Sequence, residues 1–337
     1  MAVNPLGGIL PSNMIPLGFG CGGLPGQTNR ESLYLLETAI DCGITYFDTA
    51  RLYGFGGAEG VLGSLVPRMR ERIIIASKAG ILPPSRSFPS RMVNRGVKLL
   101  HKALPQLKDV LPTPTAPHLQ VGIFDLPSLR KSLDTSLREL RTDYLDIFLL
   151  HECTEADVEN EDVLYFLQSL QKQGKIRKFG LATGIEETMR IAKSRPLLTE
   201  VVQIASSIWN MNITRLPFRA GGVTITHSTL TSRFHELTRR ISSDDSLTKQ
   251  WQSAIQIDPR DKSALAKLLL AHALHLNPNG LVLFFSNNPE NIRASARVAT
   301  DKNSINADQI DGLNALIKNK TLMLPLEGLH RDYLRVS

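Results

Sequence analysis

The chain has 337 residues, 42% hydrophobic and 21% charged, with 39 Lys and Arg against 32 Asp and Glu for a formal charge of +7. These values sit near the globular average and exclude a disordered or low-complexity body, while the length suits one large α/β domain. The basic excess comes with no RNP, zinc-finger or homeodomain pattern and no aromatic-interleaved basic run, so it reads as a solvated surface and nucleic acid is not an expected partner.

The opening segment, MAVNPLGGILPSNMIPLGF, lacks the charged start and unbroken apolar stretch of a signal peptide. No apolar run of about 18 residues follows, so a soluble, cytoplasmic protein without a membrane partner is expected. Cys21, Cys42 and Cys153 show no metal-ligand or paired spacing and are expected to be free thiols. No metal site is predicted.

In chain order, β-rich runs are predicted at Ile15–Gly20, Ile44–Asp48, Arg72–Lys78, Tyr144–His151, Lys178–Ala182, Glu200–Ala205, Val223–Thr226 and Leu281–Ser286. Helical patterns alternate with them, which is the grammar of βα units, and eight such runs favour a closed (β/α)8 TIM barrel as a single domain over residues 1–337. The first helix follows Thr28 and Glu31, spaced as a capping box, carries Leu33, Leu36 and Ile40 on one face, and ends at Gly43. Further helices are predicted at Leu126–Leu140, with Leu129, Leu133, Leu137 and Leu140 aligned, and at Val158–Gln173, Lys262–Leu276 and Asn291–Val298.

Two stretches exceed a minimal barrel. Residues 80–125 contain Pro83, Pro84, Pro89, Pro105, Pro112, Pro114 and Pro117 and read as an insertion after the third strand. Inside it, Arg91, Arg95, Lys98 and Lys102 follow Arg86 at helical spacing opposite Val97, Leu100, Leu104 and Leu107, a basic segment 86–102 read as the solvated face of a docked helix or as a lid at the substrate mouth. Residues Thr229–Arg260 are polar and aperiodic and read as a long loop. Residues 301–337 are assigned to a C-terminal helix and tail.

The segment Tyr46-Phe47-Asp48-Thr49-Ala50-Arg51-Leu52-Tyr53-Gly54 places an acid at a strand end and a tyrosine five positions on. It resembles the aldo-keto reductases, whose DTAxxYG and Glu-x-x-Leu-Gly motifs match Asp48–Gly54 and Glu59-Gly60-Val61-Leu62-Gly63. The family's lysine after the next strand matches Lys78 in Ile75-Ala76-Ser77-Lys78, and its histidine on the fourth matches His151 in Leu149-Leu150-His151. Singly these residues have bland readings: Asp48 as a helix cap, Lys78 as a surface charge, His151 as a buried core histidine. Their conjunction at successive strand ends is what carries the resemblance, over roughly residues 14–300.

The resemblance implies an NAD(P)H-dependent oxidoreductase acting on an aldehyde, ketone or sugar-like alcohol, with Asp48, Tyr53, Lys78 and His151 as catalytic residues. A nicotinamide supplies hydride, so the protein must deliver a proton to the carbonyl oxygen. A free phenol titrates near 10, and a neighbouring ammonium lowers that value, so Lys78 is expected to tune Tyr53 downward while Asp48 holds Lys78 and His151 orients the carbonyl.

Cofactor-side positions match less well. The family's Ser-Asn after the fifth strand is replaced by Ala182-Thr183, leaving Thr183 as a contact; Gln203 matches the family's glutamine on the sixth strand, and His227 stands where a tyrosine often stacks on the nicotinamide. Ser286 and Asn287, after the eighth strand, are candidates for phosphate contact, with Asn291 and Ser295 toward the adenine. Arg293 is the nearest cation for a 2′-phosphate, which leads us to expect NADP(H) over NAD(H). The extra glycines in Tyr53-Gly54-Phe55-Gly56-Gly57-Ala58-Glu59 resemble the sugar-dehydrogenase branch. The alternative implied by the same family is a non-catalytic regulatory or binding subunit. Substrate identity and oligomeric state are left open.

Overall fold

A computed structural model describes residues 14–83, 120–216, 222–230, 232–301 and 305–319. Eight parallel strands close into a barrel in sequence order: β1 (Leu17–Gly20), β2 (Tyr46–Asp48), β3 (Ile74–Ala79), β4 (Leu145–His151), β5 (Ile176–Ala182), β6 (Val201–Ala205), β7 (Val223–His227) and β8 (Leu281–Phe284). Closure comes from β1 pairing with β8, Leu17 beside Val282 and Phe19 beside Phe284. All eight predicted strands are present, with ends shifted by one or two residues.

Period-2 alternation sorts the side chains of each strand. Tyr46, Ile74, Ala76, Ile147, Leu149, Val201, Val223, Ile225, Leu281 and Leu283 fill the barrel interior, while Phe19, Phe47, Ile75, Phe148, Leu150 and Leu181 face outward into the layer shared with the helices. Continuing the inward parity one step past these interior residues reaches Asp48, Lys78, His151, Gln203 and His227 at the C-terminal rim, where barrels of this kind build their sites.

The helices follow local chemistry. In α1 (Asn29–Asp41) the Thr28 backbone N–H donates to Glu31 at 2.8 Å, the Glu31 N–H returns to Thr28 Oγ1, and Gly43 takes φ +83° beyond the end. Its buried face is Ser32, Leu35, Leu36 and Ala39, so the predicted stripe is rotated: Leu36 is central, whereas Leu33 and Ile40 flank it, half-buried. Two short helices, α2 (Gly57–Gly63) and α3 (Val66–Met69), precede β3. The predicted helix at Leu126–Leu140 is α4, capped by Asp125, with all four aligned leucines buried. It is followed by α5 (Asp162–Lys172), which starts later than predicted because a 3-10 turn occupies Ala156–Val158, and by α6 (Ile185–Ser194).

The Thr229–Arg260 stretch is not a loop. It contains α7 (Ser232–Ser243) and α8 (Asp245–Ile255), broken where Asp244 ends one helix and caps the next. Leu237, Ile241, Trp251 and Ile255 form its apolar stripe and pack with α9 (Lys262–Leu276) and α11 (Ala307–Lys318) into a cluster of their own. Between those two lies α10 (Pro289–Thr300), and α11 is the last helix among the described residues. A Cβ at Gly312 would stand 1.7 Å from the Ala254 carbonyl, so α8 and α11 touch through their backbones.

The two described ends of the 80–125 stretch meet: Leu82 N–H donates to the Gln120 carbonyl at 2.9 Å and Ile123 N–H to the Gly80 carbonyl at 3.0 Å. The basic segment Arg86–Lys102 lies outside the described residues. No helix among the described residues is long and apolar enough to cross a membrane, and no group of ligating side chains among them could hold a metal ion. Cys21 and Cys153 are buried free thiols, and Cys42 is half-buried.

Candidate active site

The structure brings the four predicted catalytic residues together. Asp48 ends β2, Lys78 lies one residue from the end of β3, His151 ends β4, and Tyr53 opens a 3-10 turn at Tyr53–Gly56. Lys78 is 1% exposed, and its ammonium donates to Asp48 Oδ2 at 2.6 Å, to the Thr49 carbonyl at 3.0 Å and to the Tyr53 hydroxyl at 3.3 Å. Three acceptors match the three donors of an ammonium. The Tyr53 ring meets the His151 ring edge to face at 6.2 Å, and Gly22, in the turn after β1, passes close against the Tyr53 ring.

Burial opposes the ammonium of Lys78, but Asp48 and Tyr53 more than offset it, and its pKa lies above the ordinary lysine value. Burial likewise raises the Asp48 carboxyl, with Lys78 and the Gln203 amide pulling back. The tuning of Tyr53 differs from the sequence expectation. Burial raises the phenol above its ordinary value, and Lys78 only opposes that rise. The phenol therefore stays protonated near neutral pH. Burial, with the positive charge of Lys78 adding to it, lowers His151 to about 3 and His227 to about 4. Both imidazoles are therefore neutral near pH 7 and can donate one N–H without adding charge beside Lys78.

On the cofactor side, Gln203 (β6) and Thr183, just past β5, are buried at the rim. The Gln203 Oε1 is buried without a hydrogen-bond partner, an unmet acceptor at the mouth that fits the amide N–H of a nicotinamide carboxamide. His227 ends β7, with Nδ1 2.8 Å from Ser228 Oγ, and Ser228 takes φ +66°. After β8, Ser286 is half-buried in a tight turn, its Oγ accepting from Asn288 N–H at 3.1 Å, while Asn287 and Asn291 are exposed and Ser295 is half-buried on α10. Arg293 pairs with Glu290 at 2.7 Å in the same helix, and Tyr34 of α1 is also its partner.

Two features escape the sequence reading. Phe285 packs on Phe19, with ring centroids 5.6 Å apart, and against Gly23, where a Cβ would lie 2.2 Å from the Phe285 ring. Glu59, matched only as a motif letter, is fully buried and binds both Arg51 and Ser77. A carboxylate inside an apolar helix–barrel layer is the available signal for such a partner.

A sequence model described as the aldo/keto reductase family matches residues 16–318. The chain belongs to the aldo/keto reductase family. Similar curated proteins include a probable aldo-keto reductase of Glycine max, 29% identical over 203 residues covering 58% of this chain and 49% of the relative. Another is a 6-dehydroglucose reductase of Novosphingobium aromaticivorans, 29% identical over 47% of this chain and 43% of its own length. The chain spans about half the length of these curated relatives. Among solved structures, the holo aldo-keto reductase AKR11C1 of Bacillus halodurans superposes with a TM-score of 0.63 at 18% identity, covering 89% of this chain and 91% of that one. A Klebsiella pneumoniae aldo-keto reductase in complex with NADPH gives 0.62 at 19% identity, covering 90% and 91%. At these identities the likeness is one of fold.

Proposed function

We propose that this aldo-keto reductase catalyses reversible, NAD(P)H-dependent reduction of an aldehyde or ketone, or oxidation of a sugar-like alcohol, with Tyr53 giving and taking the proton. The observation that carries this reading is the buried Lys78 ammonium, held by Asp48 and directed at the Tyr53 hydroxyl. When bound, the nicotinamide supplies the hydride. The chain does the rest. His151, neutral and beside Tyr53, orients the carbonyl and donates toward the oxygen as negative charge develops there. Tyr53 then delivers its phenolic proton, and Lys78 stabilises the phenolate left behind. Asp48 keeps that charge in place, and the phenolate takes up a proton before the next turnover.

Gln203 and Thr183 are assigned to the carboxamide and His227 to the nicotinamide face. Ser286, Asn287, Asn291 and Ser295 are assigned to the adenosine end, and Arg293 to the 2′-phosphate, which favours NADP(H). The testing experiment is a panel of aldehydes, ketones and sugars read by nicotinamide absorbance with both cofactors, on the wild type and Tyr53→Phe. Turnover should fall about 10²–10⁴-fold in the variant while cofactor affinity holds. Near-normal turnover by Tyr53→Phe removes the assignment, and cofactor binding with no turnover on any substrate favours a regulatory subunit instead.

A further inference from the structure

Glu59 lies at the centre of a buried frame linking the two elements that must meet for proton transfer. It sits on α2 with no exposed surface. One carboxylate oxygen pairs with the guanidinium of Arg51, in the loop between Asp48 and Tyr53. The other accepts from Ser77 Oγ at 2.7 Å, and Ser77 is the neighbour of Lys78 on β3. The same guanidinium lies against the turn that begins with Tyr53: a Cβ at Gly56, which has φ +84°, would stand 3.3 Å from Arg51 Nη2. Ser77 Oγ also lies 3.4 Å from Ser136 Oγ of α4, tying the frame to the outer helix layer.

A buried ion pair gains little stability over apolar residues of the same volume, because both partners are desolvated. Its use is geometric. Glu59 holds the loop of Tyr53 and the strand of Lys78 by two separate oxygens, so the Lys78 to Tyr53 separation is set by one rigid carboxylate.

We propose that Glu59 is a positioning residue for the proton donor, acting through Arg51 on Tyr53 and through Ser77 on Lys78. This rests on the reading of Tyr53 as the donor, but its main test needs no substrate. Besides Lys78, the groups facing Tyr53 are Asp48, Cys21, Tyr46 and His151, and the charge of Glu59 also acts on Cys21 through space. Ser77→Ala leaves that charge in place, so a change in Tyr53 ionisation in that variant passes through the frame.

The variants are Glu59→Gln, which keeps the size of the side chain and loses its charge, and Ser77→Ala, which cuts only the link to the Lys78 strand. The readouts are the titration of Tyr53, followed by the resonance of isotope-labelled tyrosine Cζ and assigned against Tyr53→Phe in the same background, together with kcat, KM and cofactor Kd. Ser77→Ala, which leaves every charge in place, should raise the Tyr53 midpoint because the opposing pull of Lys78 weakens, and Glu59→Gln tests the kinetic effect of losing the same frame. Both variants should lower kcat by roughly 10- to 100-fold, as expected for a small misplacement of reacting groups, with Kd for cofactor within about twofold. A folded Ser77→Ala protein that keeps the wild-type midpoint overturns the proposal. If Glu59→Gln does not fold, Ser77→Ala and Arg51→Lys decide it in the same way. A shifted midpoint in a protein that reduces no carbonyl leaves the frame standing and removes the proposed function instead.

Discussion

The Lys78 ammonium touches Tyr53 twice, at 3.3 Å from the hydroxyl and 4.8 Å from the centroid of the ring. It therefore stabilises the phenolate through its oxygen and restrains the ring through its face. Replacing it with an apolar chain of similar length, Lys78→Met, removes the one contact that lowers the phenol and leaves Asp48 buried without its cation. Turnover should fall about 10²-fold or more, and unfolding free energy should drop by about 3–5 kcal/mol. Denaturant unfolding checks the second part. A variant as stable as the wild type would mean that Asp48 is not charged in the folded state.

Stability should fall on acidification. Between the ordinary histidine value of 6.5 and their own values of about 3 and about 4, His151 and His227 remain neutral in the folded protein. The unfolded chain binds protons there that the folded chain refuses, so stability is present above about pH 6.5 and is lost as pH drops toward about 4. His272 is lowered by burial too and acts in the same direction. Thermal midpoints measured at several pH values, for the wild type and His151→Gln, give the check. The wild type should show a steeper decline, and equal slopes would contradict the burial of His151.

At the opposite end of the barrel from the site, Asp146 accepts from Ile75 N–H at 2.9 Å, Arg70 at 2.8 Å and Arg177 at 3.0 Å, and both guanidiniums stack on Tyr144. Arg70 is nearly buried whereas Arg177 is more than half exposed, so the first pair carries most of the energy. Asp146→Asn should cost about 3 kcal/mol with kcat unchanged. A large loss of activity in folded protein would show that the two ends of the barrel are coupled.

Gly63 meets the backbone of α4 so closely that a Cβ would lie 2.1 Å from the Glu139 carbonyl. Gly63→Ala should push α2 off α4 and destabilise by about 1–3 kcal/mol. Because α2 also carries Glu59, turnover should decline with stability, and a thermal midpoint equal to wild type would argue against the close approach.

In the proposed reading, Arg293 sets the cofactor choice. Its guanidinium is paired with Glu290, so a 2′-phosphate must compete with a carboxylate, and the expected preference for NADP(H) is small. Arg293→Ala should bring the two dissociation constants together. Tighter binding of NAD(H) by the wild type would reverse the assignment.

What was legible in the sequence is what depends on local pattern. Leu126–Leu140 has a strong apolar period and defined ends, and it folds as read. Asp48, Lys78 and His151 were legible because strand ends in a barrel converge whatever the loops do. α7 and α8 were missed because each is short and largely polar; their stripe of Leu237, Ile241, Trp251 and Ile255 is apolar only at widely spaced positions and acquires meaning once α9 and α11 cover it. The Glu59 frame was missed for a different reason. Its partners are set by a loop turning back on a helix, which no periodicity encodes.

That separate helical cluster has a consequence for anyone following the unfolding of this protein optically. The chain has two tryptophans, Trp209 and Trp251, and both belong to the cluster of α7, α8, α9 and α11 rather than to the barrel. Intrinsic fluorescence excited at the indole band thus reports on this cluster through Trp251 and on the loop leaving β6 through Trp209, whereas far-ultraviolet dichroism averages over the whole molecule. Coincident midpoints from the two signals would establish that cluster and barrel melt as one cooperative unit; an earlier fluorescence transition would identify the cluster as the part that opens first, and would make emission alone a misleading gauge of whether the catalytic rim is intact.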